Sequence, residues 1–455
     1  MEFQGKCVLV YGAGRSGIGS ADLLSELDGR PVLYDENKDL NVEELRGRLK
    51  KPERVRIVCG ELAEDLCREL DLVVLSPGVP TDLPQIKVLK ERGIPVIGEV
   101  ELAYRAGRGR VLAITGTNGK TTTTSLVGAI MEAACPEVFV VGNIGNAYTG
   151  AALETTENST VVAEISSFQL ETIERFHPAV SAILNITEDH LNRHHTMEEY
   201  IRVKEQITLN QTKEDVCVLN YEDPVLRAFG ETNCPASVFF FSSERELEEG
   251  IFLRGSRIIL RRDGIETEVL DTDRLMLIGT HNHENVMAAI AMTLTAGVTL
   301  ETVVKVTEAF RPVAHRIEYV DEKNGVIWYN DSKGTNPDAA IKGILAMKRP
   351  TFLIAGGYDK GSDYTEWIRS FGGRVKKLVL EGKTRWDIRD AAIGCGFPEE
   401  DIVVFETMRE AMDFCRDHAE AGDAVLLSPA CASWGEFPNY EVRGDVFKEY
   451  VQKEI

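Results

Sequence analysis

The apolar run Cys7-Val8-Leu9-Val10-Tyr11 is followed by Gly12-Ala13-Gly14-Arg15-Ser16-Gly17 and then by helical spacing to about Leu27. The run is short and continuous and ends on glycines, so it reads as a buried strand, a tight turn and a helix. Pro31–Tyr34, Leu72–Leu75 and Pro95–Ile97 repeat the strand signal, and Ser76-Pro77-Gly78 marks a strand-to-loop exit. These elements predict a small α/β unit that closes near Gly98. A fresh apolar run, Val111–Thr115, leads into Gly116-Thr117-Asn118-Gly119-Lys120-Thr121 and a helix, with further strands at Thr160–Ala163, Val180–Asn185 and Val216–Asn220. The polar, glycine-containing stretch Ser242–Asp273 reads as a β-hairpin insertion, and Asn285–Ala296 as a helix. Pro312 lacks a backbone donor and biases Arg311 away from helix, which marks a boundary. Beyond it, Val326–Tyr329, Thr351–Ala355, Lys377–Leu380, Ile402–Phe405 and Ala424–Leu427 alternate with helix-length stretches. The pattern predicts an α/β chain of three domains, 1–98, 99–312 and 313–455, the first Rossmann-like and the second carrying a P-loop.

A length of 455 residues agrees with about two to four domains. The net charge of −22 argues against nucleic acid as a partner and makes cations near an anionic ligand conspicuous, among them Lys120, Arg316, Lys333 and Lys360. Nine scattered cysteines without a CxxC pair favour free thiols. With no apolar stretch of spanning length, the expectation is a cytoplasmic protein without membrane insertion.

The loop Gly116–Thr121 follows a strand and opens a helix, so its backbone N–H groups can face phosphate oxygens. Lys120 can reach the terminal phosphates, and the Thr121 hydroxyl can meet Mg²⁺. Ile114 stands where the longer P-loop pattern has its first glycine, leaving a shorter GxxGKT loop. Gly12-x-Gly14-x-x-Gly17, with Asp35 one βαβ step later, fits a dinucleotide or nucleotide-sugar site, with a plain tight turn as the alternative. Glu164 ends a strand and is expected to emerge beside the phosphate loop as a Mg²⁺ ligand, and His190, in a polar loop after another strand, could join it. A solvated loop histidine is the other reading of His190. Lys204 shares a helix face with Tyr200 and Ile207, where periodicity alone favours a lysine snorkelling to water. Asp331-Ser332-Lys333-Gly334-Thr335 and Gly356-Gly357-Tyr358-Asp359-Lys360 sit where strand-end loops collect ligands.

Together with Glu164-Ile165-Ser166-Ser167-Phe168-Gln169, Asp189-His190-Leu191-Asn192-Arg193-His194 and Leu427-Ser428-Pro429-Ala430-Cys431-Ala432-Ser433-Trp434, these motifs occur in an order that resembles the ATP-dependent Mur ligases of peptidoglycan precursor synthesis over essentially the whole chain. The compact glycine turn at the start and the Ser428–Trp434 ending resemble the members that add D-glutamate. The resemblance implies a UDP-binding first domain, an ATP- and magnesium-binding central domain and a Rossmann-like C-terminal domain for the incoming amino acid. It implies that Gly14, Arg15, Ser16, Asp35, Ser76 and Asn143 border the UDP-sugar of UDP-N-acetylmuramoyl-L-alanine. Gly116, Thr117, Asn118, Gly119, Lys120, Thr121 and Thr122 would hold ATP, with Asn282, Asn285, Arg316 and Asp331 contacting it. Thr121, Glu164 and His190 would bind two Mg²⁺ ions, and Lys204 would join them as a CO₂-derived carbamate. Lys333, Thr335, Lys360, Ser433 and Tyr440 would line the D-glutamate site. Lys120, Lys204, His190 and Lys360 are then the expected catalytic groups, in a protein expected to be a monomer.

Overall fold

The computed structural model describes residues 2–143, 146–311, 314–358 and 361–455. The first apolar run forms β1 (Cys7–Tyr11), in which Val8, Leu9 and Val10 have no exposed surface. It is the central strand of a parallel sheet with β2 (Arg30–Asp35), β3 (Arg56–Cys59), β4 (Leu72–Leu75) and β5 (Val96–Gly98), in the order β3-β2-β1-β4-β5. Strand order reverses at β1, so the loops leaving β1 and β4 flank the crevice where α/β sheets collect ligands. Gly17 sits where a Cβ would lie 1.8 Å from the carbonyl oxygen of Gly12, which is why the helix Arg15–Glu26 can begin so close to its strand.

The second sheet comprises β6 (Arg110–Thr115), β7 (Val138–Gly142), β8 (Thr160–Glu164), β9 (Val180–Ile183), β10 (Val216–Asn220), β11 (Ser237–Ser242), β12 (Gly250–Arg254), β13 (Arg257–Arg262) and β14 (Ile265–Asp271). Its order is β14-β13-β12-β11-β10-β9-β6-β8-β7, parallel from β7 to β12, with β12, β13 and β14 antiparallel. The expected hairpin is therefore a three-stranded meander grafted on the parallel sheet. The third sheet, β15 (Glu318–Lys323), β16 (Val326–Asn330), β17 (Thr351–Gly357), β18 (Val375–Gly382), β19 (Ile402–Val404) and β20 (Ala424–Leu427), runs β15-β16-β20-β17-β18-β19, with β15 as an antiparallel edge.

By internal packing the chain divides into two units, Met1–Asp271 with Glu284–Thr307, and Thr272–His283 with Glu308–Ile455. The first two expected domains thus share one unit. The reason lies in the buried helix Glu99–Ala106: the Glu101 carboxylate takes the Arg105 guanidinium at 2.7 Å and the backbone N–H groups of Glu174, Arg175 and Phe176 at 2.8–2.9 Å. One hydrophobic cluster accordingly runs from Phe3 to Ala236. The boundary expected at residue 312 lies outside the described residues. All nine cysteines are free thiols, and among the described residues no helix is long and apolar enough to cross a membrane.

Candidate functional site

Strand β6 delivers the phosphate loop with two glycines in the left-handed region, Gly116 at φ 147° and Gly119 at φ 85°. A Cβ on Gly119 would lie 2.1 Å from Asn285 Oδ1, so the loop and the helix Thr280–Thr295 approach at a distance only glycine permits. Asn185, after β9, braces the loop: its carbonyl accepts from Thr117 N at 2.9 Å, and its side chain exchanges bonds with Asn118 N and O at 2.9 and 3.1 Å. Thr117 Oγ1 adds contacts to Tyr200 Oη and the Thr187 backbone at 3.0–3.1 Å. With the loop held this way, the helix Lys120–Ala134 starts without a side-chain cap, leaving its N-terminal N–H groups and dipole toward the loop.

Lys120 Nζ donates to the carbonyls of Gly116 and Thr117 at 2.7 and 2.8 Å. Lys204 Nζ donates to the same Gly116 carbonyl at 2.9 Å and lies 4.7 Å from the Tyr200 ring centroid. Lys204 is 1% exposed, so it does not snorkel as helical periodicity suggests. Burial, reinforced by the Lys120 charge, lowers its amine well below the ordinary lysine range and favours the neutral form. Glu164 is the last residue of β8, as expected, but it is buried, at 1% exposure, because β8 lies between β6 and β7. Its Oε1 accepts from Asn143 Nδ2 at 3.0 Å, while Oε2 has no hydrogen-bond partner among the described residues. A buried orphan carboxylate oxygen fits a hard cation such as Mg²⁺. Among the described residues no three His, Cys, Asp or Glu side chains come together as a metal cage. His190, at φ 54°, heads the short helix Leu191–His194 with its ring 4.9 Å from Phe168 and largely exposed.

In the first sheet's crevice, Ala13 N donates to Asp35 Oδ2 at 2.9 Å and Ser76 Oγ to the Gly12 carbonyl at 3.1 Å. The helix carrying Arg15 and Ser16 starts at Gly14 without a side-chain cap. The glycine turn, Asp35 and Ser76 therefore form one constellation. Asn143 is joined to Glu164 instead.

In the second unit, Arg316 stands between two non-glycine residues in the left-handed region, His315 at φ 65° and Ile317 at φ 46°. For a β-branched residue this is stored strain. Ile317 N donates to Asp331 Oδ1 at 3.3 Å and Ser428 Oγ to Asp331 Oδ2 at 2.7 Å, while burial pushes the Asp331 carboxyl up to about 7. Lys333 Nζ lies 5.6 Å from the Tyr440 ring centroid. Arg443, fully buried, ties two loops together: Nε and Nη2 donate to Ser332 Oγ and O at 2.9 Å, and Nη2 to the Cys431 carbonyl at 3.2 Å. Burial lowers its guanidinium to about 10. A cavity of about 250 Å³ beside it is lined by Ser433, Glu381 and Trp434. Thr335 follows in the Lys333 loop, its N–H donating to the Lys333 carbonyl at 2.9 Å. Asn282 Nδ2 donates to the Ile278 carbonyl at 2.8 Å within its own segment. Lys360 lies outside the described residues. Asn185, Arg443 and the Arg193–Glu171 pair escaped sequence reasoning. Asn185 carries a local signal as a polar residue closing an apolar run, and Arg193 one as a member of the Asp189–His194 motif.

Residues 6–98 match the Mur ligase MurD-like N-terminal domain, residues 114–293 the Mur ligase middle domain, and residues 315–431 the Mur ligase glutamate ligase domain. The chain is 55% identical over 451 residues to a UDP-N-acetylmuramoylalanine–D-glutamate ligase of Lachnoclostridium phytofermentans and 51% identical to that of Lachnospira eligens, with 99% of each chain covered in both cases. A solved UDP-N-acetylmuramate–alanine ligase from Thermotoga maritima shares the fold at a TM-score of 0.59 and 20% identity, covering 99% of this chain and 100% of that one.

Proposed function

The chain belongs to the Mur ligase family of ATP-dependent, amide-bond-forming enzymes of peptidoglycan synthesis, which use Mg²⁺, and on that premise we propose that it adds D-glutamate to UDP-N-acetylmuramoyl-L-alanine. The observation that carries the choice of acceptor is the 55% identity along 99% of both chains to a ligase of that name. The geometry around the phosphate loop supports the chemistry.

The alanyl carboxylate of the substrate attacks the γ-phosphorus of ATP, the bond to the β-phosphate oxygen breaks, and ADP leaves an acyl phosphate. The D-glutamate amine then attacks the acyl carbon, the C–O bond breaks, phosphate departs, and the nitrogen gives up a proton to the leaving phosphate or to water as the amide forms. In the first step two anions must approach, so donors aimed at the transferring group matter most. Lys120 and the backbone N–H groups of Gly116–Thr122 supply them, with Asn282, Asn285, Arg316 and Asp331 holding the nucleotide. Thr121, Glu164, His190 and a carbamate on Lys204 would hold Mg²⁺, which supplies positive charge beside the transferred phosphoryl group. The buried, neutral-leaning Lys204 amine supports the carbamate, since only an unprotonated amine adds to CO₂. Gly14, Arg15, Ser16, Asp35, Ser76 and Asn143 border the UDP-sugar. Lys333, Thr335, Lys360, Ser433 and Tyr440 receive D-glutamate, Arg443 fixing the frame of the loops that carry Ser332 and Cys431.

The test is release of ADP and phosphate from ATP with UDP-N-acetylmuramoyl-L-alanine and a panel of amino acids. D-glutamate should give the highest kcat/KM, and an equal value for L-alanine would overturn the assignment.

A further inference from the structure

Between the two loops proposed to meet the UDP-substrate and the nucleotide lies a half-buried ion-pair cluster that the proposed chemistry does not use. Arg193 donates from Nε and Nη2 to the two carboxylate oxygens of Glu171 at 3.1 and 2.6 Å. The same Nη2 donates to the carbonyl of Val79 at 2.9 Å. The guanidinium lies 5.1 Å from the Phe168 ring centroid, and Phe168 in turn packs 4.9 Å from His190. His194 approaches Glu171 Oε1, the oxygen that Arg193 Nε also meets, with Nδ1 at 3.4 Å, and its Nε2 lies 3.0 Å from Ser167 Oγ. The Arg193 and Glu171 side chains are only 12% and 9% exposed, so this is no solvated surface pair.

The position of each end gives the cluster its meaning. Val79 belongs to the loop after β4, which begins at Ser76, whose hydroxyl bonds the β1 turn. Arg193 belongs to the segment after β9, whose first residues, Asn185 and Thr187, brace the phosphate loop. Glu171 and Phe168 follow β8 and so continue the strand that carries Glu164. One guanidinium, carried by the segment after β9, therefore touches a loop of the first sheet and the segment after β8 of the second.

We infer that Arg193 and Glu171 are positioning residues that register the UDP-substrate loop against the metal and phosphate loops, and so set the distance between the attacking carboxylate and the γ-phosphate. The inference rests on the ligase reading. In-line phosphoryl transfer is steep in distance, and a displacement of about 1 Å costs on the order of a hundredfold in rate. A bidentate guanidinium is suited to the task because its planar fork fixes direction as well as distance, which an ammonium does not.

The experiment uses the full chain with ATP, Mg²⁺ and UDP-N-acetylmuramoyl-L-alanine, comparing Arg193→Lys, Arg193→Ala and Glu171→Gln with wild type. The readouts are kcat and KM, single-turnover acyl-phosphate formation trapped by borohydride reduction, and separate calorimetric affinities for the UDP-substrate and a non-hydrolysable ATP analogue. His195→Ala is the control, since its 3.6 Å pairing with Asp82 is solvent-exposed. Acyl-phosphate formation should fall by about tenfold to a hundredfold in Glu171→Gln and Arg193→Ala and by less in Arg193→Lys, with each separate affinity changed less than about threefold. A fall confined to thermal midpoint, or equal losses in both affinities, assigns the pair a structural role and overturns the inference. Wild-type rates in properly folded variants overturn it as well. If wild type itself forms no product with D-glutamate, the ligase reading fails instead, and the two failures are told apart.

Discussion

Lys204 shows how much a single burial decides. A lysine on a helix face can reach water. This one ends on the Gly116 carbonyl, where desolvation and Lys120 both disfavour its charge. As a carbamate it would change sign and offer oxygen ligands to a hard cation. Lys204→Ala is therefore expected to lose most phosphate release, with partial recovery in added acetate. Lys204→Arg, which stays cationic, should recover none. Mass analysis under CO₂ checks the adduct, and an unmodified ammonium in active enzyme would defeat it. Gly119 is a second decisive residue. Gly119→Ala places a methyl 2.1 Å from Asn285 Oδ1 at a φ of 85°, and nucleotide affinity should fall about tenfold or more in an ATP-analogue titration. Lys120→Ala should instead lower turnover by about a hundredfold while the UDP-substrate still binds, because the lost charge acts on the transferring phosphoryl group.

At the scale of the element, helix starts carry measurable stability. The helix Met408–His418 opens on a reciprocal capping box between Thr407 and Glu410. Thr407→Ala should cost about 1 kcal/mol in denaturant unfolding, and more than about 3 kcal/mol would mean a further role. The elements easiest to read in the sequence were strands whose continuous apolar runs end in glycine or asparagine, such as β1 and β6, because burial on both faces leaves no polar alternation to confuse them. Edge strands hid better: β15 reads Glu-Tyr-Val-Asp-Glu-Lys, with four charged residues in six and none of its residues buried, and β3 and β7 are only partly buried. The phosphate loop, the glycine turn and the motif loops could be placed because their chemistry is local. Partnerships could not: Arg443 meets Ser332 across 111 positions, and helical spacing reveals a face without revealing what packs on it.

At the scale of the whole molecule, buried ionisable groups set opposing pH dependences in the second unit. Burial, aided by Lys342 and Arg316 at one ring and Lys348 at the other, lowers His281 to about 3 and His283 to about 4, so their share of stability is lost as pH falls from about 6.5. Burial raises Asp331 to about 7 and Glu381 to about 8, so the folded state holds protons that the unfolded chain has released above about 4. The two trends offset each other in mild acid. From pH 6.5 to 8 mainly the carboxyls act, and stability should fall by about 2 kcal/mol for Glu381 alone. All four tryptophans, Trp328, Trp367, Trp386 and Trp434, belong to this unit, so tryptophan fluorescence follows its unfolding selectively. Glu381→Gln should flatten the slope between those two pH values, and an unchanged slope would reject the assignment. Arg443 has a consequence on a longer timescale. Besides its bond to the Ser332 hydroxyl, it grips Ser332 and Cys431 by their carbonyl oxygens, atoms that survive any substitution. The side chains at Lys333, Thr335 and Ser433 ride on a frame indifferent to their identity, so a lineage can exchange one amino-acid preference for another by point mutation while inheriting the scaffold intact.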